Sequence, residues 1–421
     1  MNSVFKIKSL IKKALVVIFI CFTSGFAIAQ STKDSVVSRK IKSLPEIFKK
    51  KDSLLLDSKK TNFFLAIPLI GSQPATGFEF GVIGQYTFKG KKEEDRYSAI
   101  NLGVVYTEKN QLIVNFKNNV LLIGNEIFLS GDWRYYRFSQ ANYGLGSDII
   151  PSFRKDKSFE IASIAEPMQY NYFKLHQTIS WKIKGNLYLG SGIHLDSYSS
   201  IIDENLNLER GEFTNHYLYS KKNGFNDKGY NVNGLSLNFI FDSRDNQINT
   251  NHGWFANINY RMNPSLNKNQ IASTLLFAEY RYFIPLSKTN KQYVFSIWTY
   301  GQFVTSGKVP YLNLPSIGWD QRSRSGKGYI QGLFRGYNLT YFEAEYRFPI
   351  SANDLISATL FSNFTSVSDK DKNIHLFQYI QPAFGIGLRI LIDKATRTNL
   401  VLNYAWGSHS KAFYLNAGES F

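Results

Sequence analysis

The sequence predicts an all-β fold, a 16-stranded antiparallel transmembrane β-barrel over residues 62–421. Three observations predict it. Polar and apolar residues alternate over long segments, long and short connections alternate between those segments, and 16% of the residues are aromatic. Alternation with a period of two is typical of strands. Strands of about ten residues with an aromatic-rich apolar face are typical of barrels that cross a membrane.

Four segments show the alternation most clearly: 78–88, 235–241, 342–348 and 400–406. In the third of them, Glu343, Glu345 and Arg347 share one face and apolar residues form the other. Because lipid surrounds a membrane barrel and its interior is polar, we expect these charged side chains to point into the lumen. The same reasoning along the chain predicts sixteen strands, at 62–70, 77–89, 95–107, 110–123, 125–139, 168–183, 186–200, 230–243, 252–263, 269–286, 292–306, 339–349, 355–366, 381–393, 397–407 and 412–421.

The lengths of the connections give an independent check on this count. The three longest, 140–167, 201–229 and 307–338, follow predicted strands five, seven and eleven. The connections after even strands are short, as at 184–185 and 394–396. Outer-membrane barrels have long extracellular loops and short periplasmic turns in strict alternation, so the parity supports the predicted strand order.

The first 29 residues are predicted to be a secretory signal peptide. Four lysines precede an apolar segment at 14–22, and Ala27-Ile28-Ala29 fits a cleavage site. The alternative, a transmembrane anchor, would need about 20 apolar residues. Cys21, the only cysteine, lies in this leader, so we expect a mature chain without disulfides or cysteine metal sites. Export predicts a location in the bacterial outer membrane.

Residues 30–61 are rich in lysine and serine and are predicted to form a short basic periplasmic tail. The whole chain carries a net charge of +17, and about +13 remains once the leader is removed. An exported basic protein is expected to meet anionic lipid and lipopolysaccharide rather than nucleic acid. We also expect the tail to be able to dock a periplasmic or lipoprotein partner.

Composition excludes several other classes of protein. Collagen and coiled coils are excluded because the sequence has neither a glycine period nor heptads, and 43% apolar residues exclude general disorder. A helical membrane protein is excluded because the one long apolar segment lies in the leader. The six histidines show no metal-binding spacing, and no nucleophile motif or Walker loop occurs, so we predict neither cofactor nor enzymatic activity. The segment 192–197, which contains His194, is similar to the His-Ser stretch of outer-membrane phospholipase barrels but continues differently.

One motif in the eleventh connection indicates a family. Arg335-Gly336-Tyr337 lies just before predicted strand twelve. In this position it resembles the loop tip of the bacterial surface antigen or BamA/TamA superfamily, whose members are sixteen-stranded barrels with this loop folded into the lumen. The resemblance implies that Arg335 pairs with acidic residues on the inner wall. Glu345 matches the acid of strand twelve, Glu343 could share its role, and Asn363 stands where the family has an aspartate on strand thirteen.

Further motifs carry the same resemblance. Asp242, Arg244, Asp245 and Gly253 match the family's periplasmic turn between strands eight and nine. Aspartates in such turns accept hydrogen bonds from backbone N–H groups and glycine frees the backbone, so we interpret this motif as structural. Segments at 67–68, 76–78, 133–138, 143–146 and 385–389 resemble barrels of this superfamily that are common in Bacteroidota.

The last predicted strand, 412–421, ends on Phe421. Phe413, Leu415, Ala417 and Phe421 are expected to share its apolar face. A terminal phenylalanine on an alternating strand resembles the signal that the outer-membrane assembly machinery recognises during biogenesis.

The resemblance implies a role in inserting or translocating proteins or lipids at the outer membrane. Only about thirty residues separate the predicted leader from the first strand, so we expect no POTRA domains here. Two alternatives stay open. The protein could be a passive, porin-like channel with the eleventh loop as a plug, or a structural barrel subunit of a larger envelope complex.

Overall fold

The computed structural model describes residues 61–73, 77–151, 155–265, 270–419 and 421, all of which belong to one compact unit, Ile41–Phe421. The predicted signal peptide and nearly all of the predicted tail lie outside the described residues. Among the residues described, no helix is long and apolar enough to cross a membrane.

The described residues form sixteen strands that pair in chain order, each antiparallel to the next. They are β1 (Asn62–Gln73), β2 (Gly77–Phe88), β3 (Ser98–Thr107), β4 (Leu112–Leu122), β5 (Ile127–Asn142), β6 (Glu166–Lys184), β7 (Leu187–Asp203), β8 (Gly229–Asp242), β9 (Gly253–Asn263), β10 (Ser273–Pro285), β11 (Val294–Gly307), β12 (Asn338–Pro349), β13 (Ile356–Val367), β14 (Gln381–Asp393), β15 (Thr398–Gly407) and β16 (Ser410–Ala417). The predicted fold class is confirmed, and the main difference is that β16 ends at Ala417 rather than at the chain terminus.

Side chains alternate between an exposed apolar face and a buried polar face. In β8, Leu235 and Leu237 are exposed, whereas Ser236 and Asn238 are buried. This distribution is the reverse of the one found in water-soluble proteins, because the polar residues lie inside and the large apolar residues lie outside. It is the arrangement expected when lipid contacts the outer face of the sheet.

The sheet curls so that its two ends approach each other. Gln85 of β2 donates a hydrogen bond to Thr398 Oγ1 of β15 (3.4 Å), although these strands lie near opposite ends of the strand order. At the turn end, Arg96 donates to the carbonyl oxygen of Asp242, the last residue of β8 (2.8 Å). The inward-facing side chains therefore enclose a lumen.

The predicted parity of the connections is observed. Long connections follow β5, β7 and β11, at 143–165, 204–228 and 308–337, and the connection after β6 is only residues 185–186. The second long connection contains one α-helix, α1 (Asn215–Asn223). Thr214 caps its first turn by accepting from the N–H of Tyr217, and Gly224 ends it in the left-handed conformation (φ 80°).

Candidate functional site: the lumen loop and its charge cluster

The connection 308–337, here called the lumen loop, folds into the interior of the barrel. Val309, Ile317, Leu333 and Phe334 are all at most 1% exposed. The loop closes on itself through backbone hydrogen bonds, including Gly332 N–H to the carbonyl of Ile317 (2.9 Å). The buried apolar side chains of the loop belong to two clusters that they share with the barrel wall, one around Tyr230 and the other around Trp298.

The lumen loop contacts several parts of the barrel wall. Gln321 donates to Ser130 of β5 (2.9 Å), and the Tyr329 hydroxyl donates to the carbonyl of Pro382 in β14 (2.6 Å). The backbone N–H of Gly328 donates to the Tyr414 hydroxyl of β16 (3.0 Å). The loop thus crosses the lumen, and the predicted lumen-folded loop between strands eleven and twelve is confirmed.

The predicted partner of Arg335 is wrong. Its guanidinium donates to the backbone carbonyls of Tyr311 (3.2 Å) and Leu312 (2.9 Å) and lies over the Tyr311 ring. Within the described part of the chain it forms no ion pair, and Glu345 has other partners. The reason is local, because the loop folds back on itself and its own carbonyl oxygens satisfy the guanidinium. The carbonyl of Arg335 itself accepts from Gly146 N–H (2.8 Å).

Lys327, also in the lumen loop, takes the place that the resemblance assigns to Arg335. Its ammonium lies 2.5 Å from Glu343 Oε1 and 3.6 Å from Glu345 Oε2. It also lies 4.0 Å from the centroid of the Phe361 ring, a cation–π contact. Asn363 donates to the carbonyl oxygen of Lys327 (2.9 Å), so one loop residue is held through both its side chain and its backbone.

The two glutamates belong to a larger group that we call the charge cluster. Its members, all buried, are Lys327, Glu343, Glu345, Arg347, Arg389 and Glu419. It contains three cations and three carboxylates, so its formal charge is balanced. Arg389 lies 3.3 Å from Glu345 and 3.2 Å from Glu419 and donates to Asn403 (3.1 Å). Arg347 donates to Glu345 as well. The cluster joins the lumen loop, β12, β14 and the end of the chain.

Gly336 and Tyr337 lie beside the connection that follows β13. A Cβ atom on Gly336 would stand 2.1 Å from the carbonyl oxygen of Ser368, so the close backbone approach requires glycine. The Tyr337 ring lies against Tyr219 of α1 and under the ammonium of Lys370, 4.6 Å from the ring centroid. The two residues pack the base of the lumen loop, and neither contacts Glu345.

After β16 the chain turns into the lumen. Gly418 has φ 76°, a conformation that favours glycine, and Phe421 beyond it is buried against Phe283 and Trp298. The prediction that Phe421 shares the lipid face of a strand reaching the terminus is therefore wrong. Arg324 of the lumen loop donates to the carbonyls of Ala417 (2.8 Å) and Gly418 (3.2 Å). The loop therefore binds the chain where it leaves β16.

The predicted turn motif lies between β8 and β9. Asp242 accepts from Arg244 Nε (2.9 Å), and Asp245 accepts from the backbone N–H groups of Asn251 (2.9 Å) and His252 (3.2 Å). Gly253 has φ 102°. These contacts fix the backbone of the turn and involve no reactive group.

A serine and a histidine lie within hydrogen-bonding distance in the lumen wall. His194 Nε2 lies 2.8 Å from Ser236 Oγ. The other ring nitrogen of His194 has no hydrogen-bond partner among the described residues, because the nearby carboxylate of Asp196 binds His176 and Arg261. A serine–histidine catalytic pair needs a group that binds the second ring nitrogen and so orients the histidine. Among the described residues, no group binds that nitrogen of His194. The described residues also contain no group of three or more potential metal ligands.

Fold and site together define the class, a 16-stranded outer-membrane β-barrel with a loop folded into its lumen. The sequence profile of the Omp85 superfamily domain matches residues 168–421. The chain therefore belongs to the Omp85 superfamily, and the predicted relationship to the BamA/TamA barrels is confirmed.

Two similar solved structures are found. The chain is similar to BamA from Haemophilus ducreyi lacking POTRA domains 1-3, with 16% identity and a TM-score of 0.50, over 85% of this chain and 69% of that one. It is also similar to CdiB from Acinetobacter baumannii, with 14% identity and a TM-score of 0.49, over 85% of this chain and 60% of that one. At 16% identity the likeness to the BamA structure shows the fold alone. A comparison with curated proteins finds no match.

Proposed function

We propose that this barrel assists the insertion or translocation of proteins or lipids at the outer membrane, and that the seam between β1 and β16 opens to do so. The observation that carries the proposal is the inward turn at Gly418. The turn takes the end of the chain out of the sheet, and Arg324 of the lumen loop binds it there.

The two strands at the seam support this proposal. β16 has 8 residues and β1 has 12, so β1 is the longer of the two terminal strands. β1 also contains Pro68, which has no N–H to donate and is typical of an edge strand. An exposed strand edge can accept a further strand by backbone hydrogen bonding. A client strand could then pair with β1 while the lumen loop keeps the chain end of β16 inside.

A disulfide across the seam tests this role. The only natural cysteine is Cys21 in the predicted leader, so introduced pairs can be read without interference. Ala66→Cys in β1 is combined in turn with cysteines at the outward-facing positions of β16, Lys411, Phe413 and Leu415, and the pair that oxidises is used. We expect the oxidised protein to fail to restore growth of a strain depleted of the natural protein, and reductant to restore it.

The matched control is Ala66→Cys with Gly84→Cys, which are paired residues in the β1–β2 ladder. Oxidation there should leave growth unchanged, because that ladder is not required to open. Normal growth with the seam locked would contradict the proposal.

We also propose that residues 1–29 direct export and that the basic tail 30–61 binds a periplasmic or lipoprotein partner. The lysines at 49, 50 and 51 favour an acidic partner surface. The basic net charge likewise favours contact with anionic lipid and lipopolysaccharide. Capture of a partner by the full chain, and its loss when residues 30–60 are removed, would support the role of the tail. Equal capture by both forms would contradict it.

A further inference from the structure

A cavity of about 260 Å³ lies in the lumen between the lumen loop and the barrel wall, and arginines line part of it. Three of them are Arg244 after β8, Arg281 on β10 and Arg322 in the lumen loop. They come from three separate parts of the chain, so only the folded barrel brings them together.

Arg244 and Arg281 are held in position by neighbouring groups. Asp242 accepts from Arg244 at 2.9 Å and 3.0 Å, and Glu279 accepts from Arg281 Nε at 2.8 Å. Both guanidinium groups lie on the Phe255 ring, with their Cζ atoms 4.4 Å and 5.0 Å from its centroid. Their two Cζ atoms are therefore at most 9.4 Å apart, the sum of these two distances.

Arg244 retains capacity to donate. Arg244 is buried, and its Nη1 atom has no hydrogen-bond partner among the described residues. A buried N–H group without an acceptor is costly, and a charged one more so. Glu279 Oε1 accepts from Arg281 Nε (2.8 Å) and also from the indole N–H of Trp298 (2.7 Å).

Arg322 has no carboxylate partner within the described part of the chain. Asp320, two residues before it, binds the backbone N–H of Arg322 (2.9 Å) and the hydroxyl of Ser325 (2.6 Å). Asp242 pairs with Arg244, Glu279 pairs with Arg281, and Asp320 binds Ser325, so none of these three carboxylates forms an ion pair with Arg322.

We propose that Arg244, Arg281 and Arg322 bind a phosphate-type oxyanion in this cavity. Guanidinium groups present paired N–H donors that match the oxygens of a phosphate, and several of them around one anion share its charge. The anion would supply the acceptor that Arg244 Nη1 lacks and the counter-charge that Arg322 lacks. The same chemistry is offered by inorganic phosphate and by the phosphate of a lipid headgroup. The inference does not depend on the proposed insertion role.

Binding to the folded full-length protein in detergent micelles tests the inference. Calorimetric titrations use inorganic phosphate, glycerol phosphate and a short-chain phosphatidic acid, at constant ionic strength with chloride as the balancing ion. We expect saturable binding of inorganic phosphate to the natural protein and at least tenfold weaker binding to Arg322→Gln. That variant should fold normally, because the side chain it removes has no partner in the described structure.

Arg210→Gln is the matched control, since it removes the same charge from an exposed position in the connection after β7. It should bind phosphate as the natural protein does. Binding of all three ligands would indicate that the site accepts a lipid headgroup, and binding of inorganic phosphate alone would indicate a free ion. Either result supports the site. Absence of saturable binding, or equal binding by Arg322→Gln and the natural protein, would overturn it.

Discussion

Replacing Glu345 by glutamine is expected to lower the free energy of unfolding by about 3–5 kcal/mol, because it leaves buried cations without their counter-charge. Glu345 is fully buried and lies within ion-pair distance of Lys327, Arg347 and Arg389. Urea unfolding in micelles, followed by tryptophan fluorescence, measures the change.

Glu126→Gln provides the matched control. Glu126 also pairs with a cation, Lys182 at 3.1 Å, but its side chain is 56% exposed. An exposed pair contributes about 0–1 kcal/mol, so the control should change little. Equal effects of the two substitutions would contradict the view that the charge cluster stabilises the lumen loop.

Replacing residues 308–334 by a short glycine–serine linker is expected to raise the single-channel conductance several-fold. The loop fills part of the lumen and contacts the wall at β5, β14 and β16, so its removal opens a path for ions. Glu343→Gln is introduced with the deletion, because Glu343 would otherwise lose the charge of Lys327. Planar bilayer recordings measure the change.

The control for this experiment is Glu343→Gln in the full-length chain, which should keep a low conductance. A natural protein that conducts as well as the deletion variant would contradict the view that the loop occludes the lumen. It would favour the passive channel instead.

The sequence was sufficient to predict the strands and their faces. Glu343 and Glu345 alternate with apolar residues. Because the apolar face of the strand contacts lipid, the two glutamates can only lie on the face that points into the lumen. The connection after β11 was recognisable because its length and its position in the strand order are both visible in the sequence.

The partners of the loop residues could not be predicted. Arg335 and Lys327 are both basic residues of the same connection, and the choice between them depends on how its backbone folds in three dimensions. Gly326 and Gly328, on either side of Lys327, both adopt positive φ and were a signal that the chain turns sharply there. Alternation within β14 predicts that Arg389 faces the lumen. It does not predict that Arg389 lies next to Glu345.

The end of the chain was mispredicted for a related reason. Apolar residues occupy alternate positions from Phe413 to Ala417 and again at Phe421, with Glu419 as the one interruption, so the pattern favours a longer strand. Gly418 and the hydrogen bonds from Arg324 override it, because together they direct the last residues into the lumen. Tertiary contacts of this kind leave no periodic signal in the sequence.

The central claim is that Lys327, rather than Arg335, ties the lumen loop to the acidic wall of β12. A double-mutant cycle with Lys327→Met and Glu343→Gln tests it most directly, with urea unfolding as the measurement. We predict a coupling of about 1–3 kcal/mol for this pair, and a coupling within about 0.5 kcal/mol of zero for Arg335→Gln with Glu345→Gln. No coupling between Lys327 and Glu343, together with strong coupling between Arg335 and Glu345, would contradict the claim.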